Sequence, residues 1–177
     1  MRISSAYANT DSPVWAEALS RTWPQGGEPF SYDMGGTLRG ADYDGDFFCA
    51  EVKNYQGSGD QGTEFYAFLA KCYVARQQNY MLGRHFMWIT WAPFLVTAWS
   101  QLDSPEKVKE AVVRHRNRIF GDVSETEAAG LVDDAVAASV ADRLWLIVLS
   151  RKQENLMPLT EWRAIVEAEL VRKGKDW

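Results

Sequence analysis

A chain of 177 residues, 46% hydrophobic and 24% charged, is one domain by length with enough apolar material for a sizeable core, which excludes intrinsic disorder. Its net charge of −5 excludes a strongly basic surface of the kind that advertises nucleic-acid binding in bulk composition. Affinity for a polyanion then has to come from a metal, which reverses local charge, or from a protein partner.

In chain order, Ser12-Pro13 reads as cap and first residue of a helix to about residue 22, with Val14, Trp15, Ala18 and Leu19 as its apolar stripe. Glu17 beside that stripe reads as a solvated acid. Pro24, Gly26 and Gly27 end the helix, residues 29–34 suit a first strand, and Gly35-Gly36 suits a turn. Residues 37–55, TLRGADYDGDFFCAEVKNY, then read as two strands folded over Asp44-Gly45, since both turn residues tolerate positive φ. Alternation along the second strand puts Phe47, Cys49, Glu51 and Lys53 on one face, and Phe48, Ala50 and Val52 on the other. Charges at Glu51 and Lys53 on a mostly apolar strand need pairing or a metal.

A polar glycine-rich loop, residues 56–62, leads to a helix over 63–75 that is apolar on most of its circumference and is therefore expected in a core or interface. Gln61, Glu64 and Lys71 stand within reach of a ligand at the hairpin, but read as surface polar residues. Residues 85–91, HFMWITW, form a buried strand, with His85 structural rather than catalytic; residues 94–99 are a short strand or a helical turn. Ser104-Pro105-Glu106 starts a helix to about Phe120, with Val108, Ala111, Val112, His115 and Ile119 inward. Lys107, Arg114 and Arg118, joined by Lys109 and Arg116, make its other side the one basic surface and the candidate for phosphate contacts. Glu106 and Glu110 interrupt it. A helix from Ser124 to about residue 142 has Ala128, Leu131, Val132 and Val136 inward. A fully buried strand over 143–150 and an amphipathic helix over 159–173 complete the pattern. Cys49 and Cys72, in apolar contexts, read as reduced buried thiols. The opening residues hold no hydrophobic signal core, and the most apolar window, residues 86–99, is too short to span a bilayer, so a cytoplasmic protein off the membrane is expected.

An acid, a β-turn, Glu51-Val52-Lys53 on a strand and then a helix resemble the PD-(D/E)XK nuclease superfamily, over roughly the first half of the chain. This is the single Glu/Asp-x-Lys in the sequence. The resemblance implies a restriction-endonuclease-like three-layer α/β sandwich with a mixed central sheet, as a single domain over 1–177. Its core would cover about 12–100, with extra C-terminal helices and a strand over 104–177. It further implies a Mg²⁺- or Mn²⁺-dependent nuclease acting on DNA or RNA in restriction, defence or DNA processing, as a homodimer or beside a protein partner that supplies DNA affinity. A catalytically inactive nuclease-fold subunit, acting as a protein-interaction module, is the alternative.

By the same resemblance Glu51 is the second acid, Lys53 orients or activates the attacking water, and the Val52 carbonyl joins the metal site. Asp42 is taken as the first acid, with Asp33 and Asp44 as alternatives; the usual proline before it is replaced by Ala41. A two-residue turn at Asp44-Gly45 would pair Asp42 with Phe47 and Leu38 with Glu51, leaving Asp42 about 13 Å from the level of Glu51 at ~3.3 Å per residue. A metal held at ~2.1 Å cannot bridge that span, so the triad requires a wider loop or a bulge at Gly40.

Overall fold

The computed structural model describes residues 2–54 and 60–149. Among them the chain runs β1 (Arg2–Ala8), α1 (Pro13–Ala18), β2 (Ser20–Arg21), β3 (Phe30–Ser31), β4 (Met34–Arg39), β5 (Phe47–Lys53), α2 (Gln61–Gln77), β6 (His85–Thr90), α3 (Pro105–Arg114), α4 (Arg116–Ile119), α5 (Glu125–Leu131), α6 (Asp134–Ala141) and β7 (Leu144–Val148). Five strands form one mixed sheet in the order β1-β4-β5-β6-β7. Pairing is antiparallel from β1 through β5 and parallel from β5 through β7. The two parallel steps need crossovers, which α2 and the α3–α6 group supply. This is a mixed α/β protein on a five-stranded sheet.

The main core lies between sheet and helices. Phe65, Phe68 and Leu69 of α2 pack with Cys49, Phe86 and Trp88 of the sheet, and Val108 and Val112 of α3 and Ala137 and Val140 of α6 close the layer. Helix α2 is buried almost all round because it sits between the sheet and this second helical tier, as its apolar circumference requires. On the other sheet face, Leu38, Phe48, Ala50 and Met87 form a smaller cluster with Met34, Ile89, Trp145 and Ile147.

Several elements differ from the sequence reading. The first strand of the sheet is β1, RISSAYA, in which only Ile3 and Tyr7 are strong β-formers and which holds its place by pairing with β4. The pair Gly35-Gly36 lies inside β4 rather than in a turn. A Cβ on Gly36 would sit 2.0 Å from the Ser5 carbonyl oxygen, and one on Gly35 would sit 2.6 Å from Leu19 Cδ2, so both glycines serve close approach. Helix α1 ends at Ala18, and Val14, expected inward, is 70% exposed. The helix expected from Ser124 onward breaks in two because the Asp133 carboxylate accepts from the Ala135 and Val136 N–H groups and starts α6; Leu131 is thereby left exposed. Strand β7 is half-buried at the sheet edge rather than fully buried. The segment after Pro93 is a 3₁₀ turn, Val96–Gln101. Both cysteines are buried and unpaired. No helix among the described residues is long and apolar enough to cross a membrane. The expected helix over 159–173 and most of the glycine-rich loop lie outside the described residues.

Candidate active site

The hairpin that organises the site is irregular. Asp44 and Gly45 do occupy the centre of a turn, closed by the Asp46 N–H donating to the Tyr43 carbonyl at 3.0 Å, with Gly45 at φ +84°. That turn caps a wider loop, because ladder pairing stops where the Leu38 N–H donates to the Asp46 carbonyl at 2.7 Å. The resulting register pairs Thr37 with Phe47, Gly35 with Cys49 and Met34 with Ala50. Relative to the two-residue turn this is a shift of odd length, so it exchanges the faces of the whole first strand.

The shift decides which acid meets Glu51. The ladder ends at the Met34–Ala50 pair, so Asp33 stands just past it, beside the end of β5 that carries Glu51 and Val52. The Asp33 N–H donates to the Ala50 carbonyl at 3.0 Å, and Asp33 Oδ2 accepts from the Val52 N–H at 2.8 Å. Asp42 lies instead in the 3₁₀ turn Ala41–Tyr43 at the hairpin tip, exposed, beyond the Phe47 end of β5. Asp44 is also at the tip, where its Oδ1 accepts from the Gly40 N–H at 3.0 Å. Asp33 is therefore the candidate acid whose carboxylate reaches the Glu51–Lys53 segment, through Val52, while Asp42 and Asp44 stay at the hairpin tip.

Glu51 is only 3% exposed. Its Oε2 is 3.0 Å from Lys53 Nζ and its Oε1 is 2.6 Å from Lys71 Nζ, so each oxygen faces an ammonium. Lys53 also reaches Glu64 Oε2 at 3.1 Å and lies over the Trp88 ring, 5.8 Å from its centroid. Lys71 also donates to the Ser31 carbonyl at 3.1 Å. Burial alone would lower the Lys53 pKa. The charge of Glu51, the hydrogen bonds to Glu51 and Glu64, and the charge of Asp33 outweigh it and hold the ammonium above its ordinary value. Lys53 thus stays protonated at neutral pH.

Neither Glu64 nor Lys71 is a plain surface residue, since both belong to this cluster on the α2 side of the sheet. Gln61 is fully buried and its Oε1 accepts from the Thr90 hydroxyl at 2.8 Å. One sequence signal pointed to Lys71: it is the lone cation in the otherwise apolar stretch FYAFLAKCYVA, and a charge there needs a partner.

The chemistry of the donors suits a hard cation. Asp33 and Glu51 supply carboxylate oxygens at the end of two adjacent strands, and the Val52 peptide adds a carbonyl. Among the described residues no group of three or more His, Cys, Asp or Glu side chains is arranged to hold a metal ion. Mg²⁺, which keeps several of its waters, is commonly held by one or two carboxylates, so this donor set suffices in kind.

The basic face expected on the helix after Ser104 is largely neutralised. Lys107 Nζ is 2.7 Å from Glu110 Oε2 and donates to the Tyr66 hydroxyl at 3.0 Å. Arg114 pairs with Glu110 at 2.5 Å and lies 3.7 Å over the Tyr66 ring. Arg118 lies over the Trp23 ring at 5.4 Å. Lys109 is 2.7 Å from Asp134 Oδ1. The helix itself breaks at His115 into α3 and α4. His85, at the opposite end of β6 from the cluster, bonds Asp46 at 3.1 Å through Nε2 and accepts from Trp145 Nε1–H through Nδ1, in keeping with a structural role.

Fold and site together define an α/β protein with a buried carboxylate–ammonium cluster where β4 begins and β5 ends. No family model matches the chain, and no curated protein or solved structure matches it either.

Proposed function

We propose that this protein is a metal-dependent nuclease of the restriction-endonuclease-like type, hydrolysing phosphodiester bonds of DNA or RNA. Asp33, in place of Asp42, is the first acid, Glu51 the second, and Lys53 the lysine beside the attacking water. The observation that carries this reading is the convergence of Asp33 on Val52, at 2.8 Å, beside a buried Glu51 whose oxygen lies 3.0 Å from Lys53. It is also supported by the element order around the site: an antiparallel hairpin, then a buried helix, then a parallel strand.

Asp33, Glu51 and the Val52 carbonyl would hold Mg²⁺ or Mn²⁺. The cation supplies a water of lowered pKa and stabilises charge on the phosphoryl oxygens. Lys53 is a donor and not a base, because its ammonium keeps its proton. Its part is to orient the water or a non-bridging oxygen, held between Glu51 and Glu64 and backed by Trp88. The fully buried Thr90–Gln61 hydrogen bond pins the start of α2 to the sheet beside these groups.

The test is cleavage of single- and double-stranded DNA and RNA in Mg²⁺ or Mn²⁺, against Lys53→Ala and Glu51→Gln. Metal-dependent cleavage lost in both variants is expected. Cleavage absent, or unchanged in both variants, refutes the reading. A second reading, an inactive nuclease-fold subunit that binds protein, draws support from the neutralised cations Lys107 and Arg114. It predicts no cation binding by calorimetry, where the first predicts binding.

A further inference from the structure

The nuclease reading leaves Lys71 without a task, yet it makes the shorter of the two ion pairs to Glu51, at 2.6 Å. Both oxygens of the second acid are occupied by ammonium groups, Oε1 by Lys71 and Oε2 by Lys53. A cation seated on Glu51 therefore has to compete with a lysine. The two are not equivalent competitors. Lys53 is retained by a second carboxylate, Glu64, at 3.1 Å, whereas the second partner of Lys71 is the neutral Ser31 carbonyl, also at 3.1 Å. Lys71 is the ammonium more easily released, and the Ser31 carbonyl keeps its head nearby once Glu51 lets go.

Charge indicates where the head turns. Asp33, Glu51 and Glu64 against Lys53 and Lys71 leave the cluster with one negative charge. A divalent cation turns that into one positive charge, which a single phosphodiester cancels. On the basis of the nuclease reading, we infer that Lys71 is an internal counter-ion of Glu51 that exchanges onto a substrate phosphate when a divalent cation enters, so that cation and nucleic acid bind with positive coupling. In the substrate-free protein Lys71 suppresses cation binding. With a phosphate present it becomes a second phosphate-positioning lysine beside Lys53.

Calorimetric titration with Mn²⁺, with and without a phosphorothioate-linked single-stranded DNA oligonucleotide that resists cleavage, tests this. In the wild type, the oligonucleotide should tighten Mn²⁺ binding at least about fivefold, the lower end of common coupling. Lys71→Met should bind Mn²⁺ at least about fivefold more tightly than wild type without oligonucleotide, and lose the coupling. Lys71→Arg, with a fork that can grip both carboxylate oxygens, should bind Mn²⁺ more weakly than wild type. It decides the matter alone if Lys71→Met does not give a native circular-dichroism spectrum. Wild-type Mn²⁺ binding that neither variant alters overturns the exchange and leaves the nuclease reading standing. No Mn²⁺ binding by any of the three proteins, with or without oligonucleotide, overturns both.

Discussion

Replacing Asp33 by Asn and, separately, Asp42 by Asn asks which acid serves the cation. Asn at position 33 retains a side-chain oxygen to accept from the Val52 N–H, so the local backbone is kept while the charge is lost. Loss of a directly ligating carboxylate should exceed the 10–100-fold typical of outer-sphere partners, so we expect about 100-fold or more, roughly 2.7 kcal/mol. Asp42 lies past Phe47, four positions from Glu51 along β5, so its charge is at least about 13 Å from the cluster at ~3.3 Å per residue. A unit charge on a divalent ion at that distance in water is worth about 0.6 kcal/mol, and a Debye length of ~8 Å reduces this about fivefold. Asp42→Asn should therefore weaken Mn²⁺ binding by less than about 1.5-fold. Calorimetric dissociation constants measured side by side, at physiological ionic strength, are the assay. Equal losses of tenfold or more in the two variants would refute the register argument, and a loss confined to Asp42→Asn would reverse it.

Two other outcomes follow from packing and charge. Gly36→Ala forces a Cβ to within 2.0 Å of the Ser5 carbonyl and 2.9 Å of Phe48 Cε1, and the backbone atom cannot swing aside as a side chain would. We expect a loss of about 2–3 kcal/mol in urea unfolding, with β1 amides losing protection first in hydrogen exchange; a neutral outcome would mean that β1 does not pair there. For Lys53, the folded-state pKa is raised, so its ion pairs contribute stability fully below the ordinary lysine value of 10.5, and that contribution is lost as pH rises through the folded value. The buried Tyr32 and Tyr80 hydroxyls and the Cys49 and Cys72 thiols, all held neutral by burial, add alkaline losses of the same sign. The reading is thus the difference: wild-type melting temperature should fall more steeply above pH 10 than that of Lys53→Met, and parallel curves would contradict it.

Much of this protein was legible one residue at a time. The strand parity of β5, which groups Cys49, Glu51 and Lys53, follows from alternation alone, and so does the demand that its charges be paired. The caps at Ser12, Ser104 and Ser124 are written in side chains that bond their own helix starts. The all-round apolar α2 announced a buried position. These features are local, so neighbours in sequence carry them. Other facts depended on partners distant in the chain. That Gly35-Gly36 is strand rather than turn depends on β1 and Leu19 lying against it. That Asp33, and not Asp42, stands by Glu51 depends on how wide the hairpin loop is. An Asp-Gly turn signals a reversal but does not count the residues in it, and a shift of five exchanges every face of the strand. That Glu110 neutralises Lys107 and Arg114 is local and visible in sequence, whereas Tyr66, which backs them, is 41 residues from Lys107 along the chain. Local pattern thus settled which residues had to be buried and which charges needed partners. The identity of those partners came from the folded arrangement, because register and helix packing are set by contacts between distant segments.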